Sequence, residues 1–301
     1  MHRPIAVVLL FLLAQTDAFA AECKPDALGT SRVIAIDPTE HGRIGTMQYP
    51  ETLPLKDHEV VLTFDDGPLP PNTGKVLDIL ASECVKATFF LVGKMASEFP
   101  AFVRRAYDDG HTIANHSLTH APRIWTWPYA KQEEDFSAGI AAVGQALGDP
   151  AKVAPFFRFP GLGRSGELES YFASEKIMIW SSDFTGDDWT HIGSRAIATR
   201  SIDRLERRGK GVLLLHDIHR VTVGALPLIL AELKKRNYRV VHVVPAGPTQ
   251  PKTETEPAEW IMPPPAPKPA VARAPTPAQP RPAKPAVTRL QSPLRPTVTP
   301  R

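Results

Sequence analysis

The stretch at residues 60–68, VVLTFDDGP, limits the fold of this 301-residue chain more than any other. Val60 to Phe64 are aliphatic, β-branched or aromatic, and they read as an apolar strand. The strand ends on two adjacent carboxylates, Asp65 and Asp66, and Gly67 and Pro68 then stop it. Apolar strands of this kind sit in the interior of α/β folds, with their carboxyl ends facing the ligand crevice. Two neighbouring carboxylates placed there repel each other and lose hydration, so the site must supply a compensating charge. A metal cation is one compensator. For the motif alone, a solvated Asp-Asp-Gly-Pro turn is the plainer alternative.

Around this strand the apolar pattern alternates between two periods. Strand-like runs fall at 60–64, 87–92, 112–115, 156–159, 177–181, 212–215 and 239–244. Helical runs fall between them, at 72–83, 94–108, 131–147, 167–174, 194–208 and 225–235. Seven strands alternating with helices predict an α/β fold with a parallel sheet, either a barrel or an open sheet. The expected strand ends carry Asp65-Asp66, His116, Arg158, Asp183 and His216. His111, at the start of a strand, reads as a structural residue rather than a ligand.

The two ends differ from this body. His2 and Arg3, the apolar run 5–13 and the small-x-small triplet Ala18-Phe19-Ala20 form a signal-peptide pattern over 1–20, which predicts a secreted or periplasmic protein. Residues 21–54 show no clear period and read as an irregular lead-in to a catalytic domain at 55–245. Seventeen of the 32 prolines lie in 245–301, and the seven charges from Ile261 onward are all basic. Removing those seven from the net +3 leaves the rest of the chain at about −4. The tail, 246–301, therefore reads as disordered or polyproline-like. Its cations suit contact with a wall polymer or a membrane surface. With the basic residues gathered there rather than on a folded face, nothing points to nucleic acid. Cys23 and Cys84 are the only cysteines; the sequence is compatible with one disulfide in an oxidising compartment or with two unpaired thiols.

The sequence HSLTH sets His116 and His120 four residues apart, which on one helical turn places both imidazoles on the same face. With Asp66 they make a two-histidine, one-carboxylate set suited to Zn2+, with Co2+, Ni2+ and Fe2+ also compatible. TFDDGP, HSLTH, RFPG, a strand-end Asp with a nearby DDW, and LLLHD occur in this order. Over roughly 55–244 the chain resembles the polysaccharide deacetylase family, the NodB-homology domain of carbohydrate esterase family four.

The resemblance implies a distorted (β/α) barrel and metal-dependent removal of acetyl groups from a glycan, most often from N-acetylglucosamine. It implies Asp65 as general base, Asp66, His116 and His120 as metal ligands, and Arg158 as the holder of the base. It also implies His216 as general acid, Leu214 as a wall of the acetyl pocket and the Gly161 N–H as an oxyanion donor. Asp183, at a strand end, is the favoured partner to orient His216, and Asp188 is the alternative. Trp189 either lines the acetyl pocket or packs under a loop. Two departures stand out. The third motif ends in Gly161 where the family usually has Tyr, and the fourth, 183–189, is two residues longer than usual. The expected partner is an acetylated polysaccharide of the peptidoglycan or chitin type. An O-acetyl esterase and a non-catalytic glycan-binding protein are the other readings.

Overall fold

The computed structural model describes residues 23–264; the predicted signal segment, 1–20, and residues 265–301 of the predicted tail lie outside them. Among the described residues there are ten strands: β1 (Thr30–Ile36), β2 (Arg43–Ile44), β3 (Glu59–Asp65), β4 (Thr88–Leu91), β5 (Thr112–Asn115), β6 (Phe156–Phe157), β7 (Met178–Trp180), β8 (Phe184–Thr185), β9 (Gly211–His216) and β10 (Arg239–Pro245). Seven helices lie between them: α1 (Asn72–Ser82), α2 (Gly93–Glu98), α3 (Pro100–Asp108), α4 (Tyr129–Leu147), α5 (Gly166–Ser174), α6 (Ser194–Arg208) and α7 (Arg220–Lys235). The helix expected over 94–108 is split. Pro100 cannot donate a backbone hydrogen bond, and Phe99 before it leaves helical geometry at φ −125°, ψ 53°.

Every pairing between named strands is parallel. β9, β3, β4, β5, β6 and β7 follow one another in the sheet. Three residues after β7 the chain resumes as β8, which pairs with β9 and so closes a distorted ring. β10 pairs with only the first two residues of β3 and carries β1 on its other edge. The period of two in β3 explains its uninterrupted apolar run. Val60, Leu62 and Phe64 pack outward against the helices, whereas Val61 joins an inner cluster with Phe90, Phe156, Trp180 and Val212. Each such buried side chain contributes about 1.5–3 kcal/mol.

Two domain boundaries differ from expectation. Residues 21–54 are not an irregular lead-in, because β1 and β2 lie within them. β1 alternates at its centre, with Val33 exposed and Ile34 buried, and Arg32 pairs with Glu59 at 2.7 Å. Nor does the ordered body stop at Pro245. Thr253 exchanges backbone and side-chain hydrogen bonds with Ala35 at 2.9 Å each. Ile261 bridges antiparallel to Glu51, and Trp260 is buried with its ring stacked on His41, 3.4 Å between centroids. One large aromatic and a few backbone bonds hold a segment that has no hydrophobic period. The open question about the cysteines is resolved: Cys23 and Cys84 form a disulfide that ties the start of the described chain to the end of α1. No helix among the described residues is long and apolar enough to cross a membrane.

Candidate active site

Register places the site. Asp65, the last residue of β3, stands beside Phe90 on β4 and His216 on β9, and Leu91 stands beside Asn115, which stands beside Phe157. The residues that follow these strand ends, Asp66, His116 and Arg158, therefore emerge around one mouth. Asp66 turns sharply there with φ +77°, a conformation that Asp tolerates better than most residues.

The HSLTH segment is not a helical turn. Ser117 and His120 have φ +71° and +49°. The loop is fastened by short polar bonds: Asn115 Oδ1 accepts from Ser117 N at 3.0 Å, Ser117 Oγ from His120 N at 2.9 Å, and Asp135 of α4 from Leu118 N and the Thr119 hydroxyl. This loop, rather than helical periodicity, brings the two imidazoles together.

Asp66 Oδ1 lies 3.4 Å from His116 Nε2 and 3.2 Å from His120 Nε2, and one ligand atom from each of the three residues falls within 4.8 Å of the others. His116 Nδ1 donates to the Arg158 carbonyl at 2.7 Å, which leaves the Nε2 lone pair directed at Asp66. Burial holds the His116 pKa below its ordinary value, against the pull of Asp65 and Asp66, so the ring is neutral as a ligand must be. Asp66 Oδ1 is itself buried and has no hydrogen-bond partner. A buried carboxylate oxygen that faces one imidazole lone pair and a second imidazole nitrogen, with a hydrogen bond to neither, is costly unless a cation sits among them. The three residues fit a divalent metal on both geometry and donor type.

Beside them, Asp65 Oδ1 accepts from Arg158 Nη1 at 2.6 Å. Arg158 is fully buried; it also donates to Thr63 Oγ1 and the Ser181 carbonyl, and its guanidinium lies 4.2 Å from the Phe90 ring centroid. Its position is thus fixed by four neighbours.

The partner of His216 is Asp188, not Asp183. Asp188 Oδ1 accepts from His216 Nδ1 at 2.8 Å, and its Oδ2 accepts from His216 N at 2.7 Å and the Thr222 hydroxyl at 2.5 Å. Burial opposes a charge on His216, but the Asp188 bond and charge, then Asp66 and Asp65, push its pKa up to about 9. Asp183 instead accepts from Thr46 N, the Thr46 and Thr52 hydroxyls and Val212 N, and so clamps the segment around β2 to β9. The reason is a break in the strand. The chain re-enters the sheet as β8 after Asp183, so its carboxyl end comes after Thr185, where Asp187 and Asp188 lie.

These groups open into a cleft of about 550 Å³ that Gly161, Leu214 and Trp189 help to line. Trp189 is half exposed and meets the His216 ring edge-on at 5.5 Å. Gly161 has φ +58°, and the ring of Trp125 lies 3.8 Å from where its Cβ would stand. Trp125, Trp127 and Tyr129 pack on the aromatic cluster of Phe136, Phe157 and Phe172 and anchor their loop. Sequence reading missed Thr222, Thr63, Met47 and Gln48. The two threonines brace Asp188 and Arg158, and Met47 and Gln48 form one wall of the cleft. Only the apolar run's one hydroxyl, at Thr63, offered a signal.

A parallel α/β ring with carboxylates and imidazoles gathered at its strand ends is an enzyme-like arrangement. The sequence model described as polysaccharide deacetylase matches residues 53–175. A peptidoglycan-N-acetylglucosamine deacetylase of Bacillus cereus is 35% identical over 196 residues, covering 62% of this chain and 68% of that protein. One from Listeria monocytogenes is 30% identical over 200 residues, covering 66% of this chain but only 41% of its own length. Among solved structures, a Bdellovibrio bacteriovorus peptidoglycan deacetylase superimposes with TM-score 0.64 at 29% identity, covering 72% of this chain and 60% of its own. The chain belongs to the polysaccharide deacetylase family and is an enzyme of that class.

Proposed function

We propose that this protein hydrolyses N-acetyl groups on the N-acetylglucosamine of peptidoglycan outside the cytoplasm. The observation that carries the reading is the orphaned Asp66 Oδ1, set between two imidazole nitrogens and flanked by the Asp65–Arg158 and His216–Asp188 pairs. Asp66, His116 and His120 hold a divalent ion, with Zn2+ the first choice from the donor set. When bound, the ion supplies Lewis acidity to a water and to the acyl oxygen. Asp65 is not needed as a ligand, so it accepts the proton of the attacking water, and Arg158 holds its carboxylate in line. His216 is protonated at neutral pH and gives its proton to the departing amine, with Asp188 fixing the ring by the Nδ1 bond. Leu214 and Trp189 exclude water from the acetyl methyl, and the Gly161 N–H serves the developing oxyanion.

The peptidoglycan substrate is supported by the names of the Bacillus cereus and Listeria monocytogenes relatives. Export is supported by the 1–20 pattern and by the disulfide, which suits an oxidising compartment. The test is metal content measured together with acetate release from peptidoglycan, N-acetylchitooligosaccharide and O-acetyl xylan, with and without chelator. Asp66→Ala and His120→Ala should lose metal and turnover together, whereas Asp65→Asn keeps metal and loses turnover. A fully active, metal-replete Asp65→Asn protein shows that the base is another residue. Acetate from the xylan alone replaces the amidase with an esterase.

A further inference from the structure

A second hollow, of about 360 Å³, adjoins the cleft and shares Met47, Thr185 and Trp189 with it. Its far side is basic. Arg204, Arg207 and Arg208, from the last turns of α6, line it. The carboxylates of the hollow are already committed. Asp187 is held by Arg200 and Arg204 at 2.7 Å each, and Asp183 accepts four hydrogen bonds from Thr46, Thr52 and Val212. Arg207 and Arg208 are left over. Among the described residues neither pairs with a carboxylate, and Arg208 makes only a 3.1 Å bond to the Thr46 hydroxyl. Both side chains are half-buried at the edge of the hollow, where a ligand's charge is screened less than on open surface.

We infer that this hollow is an anion subsite, in which Arg207 and Arg208 bind a carboxylate carried by the same glycan chain as the sugar being deacetylated. Trp189 lines both spaces, as Met47 and Thr185 do. A guanidinium pair suits a planar carboxylate through paired N–H donors. A neutral homopolymer of N-acetylglucosamine has nothing to offer it. A glycan that alternates N-acetylglucosamine with an acidic N-acetylmuramic unit presents a carboxylate one residue along, on the lactyl group or on its attached peptide. The inference rests on the deacetylase reading and sharpens its substrate class.

The position of both arginines at the C-terminus of a helix also stabilises the fold through the helix dipole, so the test is built on the ligand as well as the protein. Tryptophan fluorescence titration measures binding of a peptide-free N-acetylglucosaminyl-N-acetylmuramic tetrasaccharide, its methyl ester, the same glycan carrying stem peptides, and N-acetylchitotetraose. The free carboxylate should bind about tenfold more tightly than the methyl ester at low salt, with the gap closing at high salt. The doubly substituted R207A/R208A protein should lose that gap while binding the ester and N-acetylchitotetraose as the wild type does. If the peptide-bearing glycan alone shows the preference, the carboxylate is on the peptide rather than the lactyl group, and the subsite stands. Equal binding of acid and ester by the wild type, together with no preference for the peptide-bearing glycan over N-acetylchitotetraose, overturns the subsite. So does an R207A/R208A protein that weakens all four ligands alike. Acetate release measured in parallel keeps the two readings separate. Charge-selective binding without turnover on any glycan refutes the deacetylase alone, and turnover without charge selectivity refutes the subsite alone.

Discussion

Two buried histidines outside the cleft set how the fold responds to acid. His111, just before β5, accepts a hydrogen bond from Ala87 N at its Nδ1 (3.1 Å), and its ring packs edge-on against Phe89. His242, on β10, lies 2.9 Å from the Thr112 hydroxyl, which donates to the Val243 carbonyl. The His242 Nε2 is therefore the donor in that pair. Burial, then Lys86, His242 and Arg105, push His111 from the ordinary 6.5 down to about 3; burial, then Lys86, push His242 down to about 4. Both are depressed bases, so the unfolded chain binds the extra protons. The stability they allow is complete above pH 6.5 and is lost as pH falls from there toward 4 and 3. Between pH 7.5 and 5.0 each histidine gains nearly one proton on unfolding and almost none in the fold. At about 1.4 kcal/mol per unit, that removes about 2 kcal/mol per histidine, or about 4 kcal/mol for the pair. His242→Gln keeps a donor for Thr112 and cannot titrate. In urea unfolding at the two pH values, with chelator present so that the metal ligands contribute equally, the wild-type loss should exceed that of His242→Gln by about 2 kcal/mol. Identical losses in the two proteins would falsify the assignment of acid sensitivity to this pair.

Exchanging the two aspartates near His216 separates a chemical role from a structural one. Asp188→Asn should cut turnover per folded molecule on N-acetyl substrates by about 100-fold and move the alkaline limb of the pH–rate profile to lower pH. Asp183→Asn should instead lower stability by about 2–4 kcal/mol, because four donors lose a charged acceptor, and leave turnover per folded molecule near wild type. Inverted results would restore Asp183 as the partner of His216. The disulfide closes a loop with a sequence separation of 61 residues. Loop-closure entropy assigns it about 4 kcal/mol, to be read as the difference in unfolding free energy between the wild type and the paired Cys23→Ser, Cys84→Ser protein. A difference below about 1 kcal/mol would mean that Cys23 adds no constraint beyond the packing of β1.

The parts legible in the sequence were those that repeat or stand side by side. All seven expected strands exist, because each is a short apolar run between turn signals. Asp66, His116 and His120 do converge, and Arg158 does reach Asp65. What escaped depended on distant or irregular backbone. β1 is held by β10, about two hundred residues further on, and its exposed Val33 and Arg32 blur the apolar signal. The HSLTH loop reaches the result expected of a helical turn through positive φ at Ser117 and His120, which spacing alone does not reveal. Asp183 looked like a strand end only because the strand read at 177–181 stops just before it and the two-residue β8 was not read at all. Trp260 sits in a stretch of Pro, Thr, Lys and Glu where no period marks it, yet the stack on His41 and the bridge from Ile261 to Glu51 fasten it down.

That fastening fixes where the described chain leaves the barrel. Ile261 and Pro263 share a hollow with Asp57 and Lys210, which precede the first residues of β3 and β9, while Asp65 and His216 close the far ends of the same two strands. Six or seven extended residues put on the order of 20 Å between exit and mouth. A support or label joined at Pro264 would thus hold the barrel by its base and leave the opening clear.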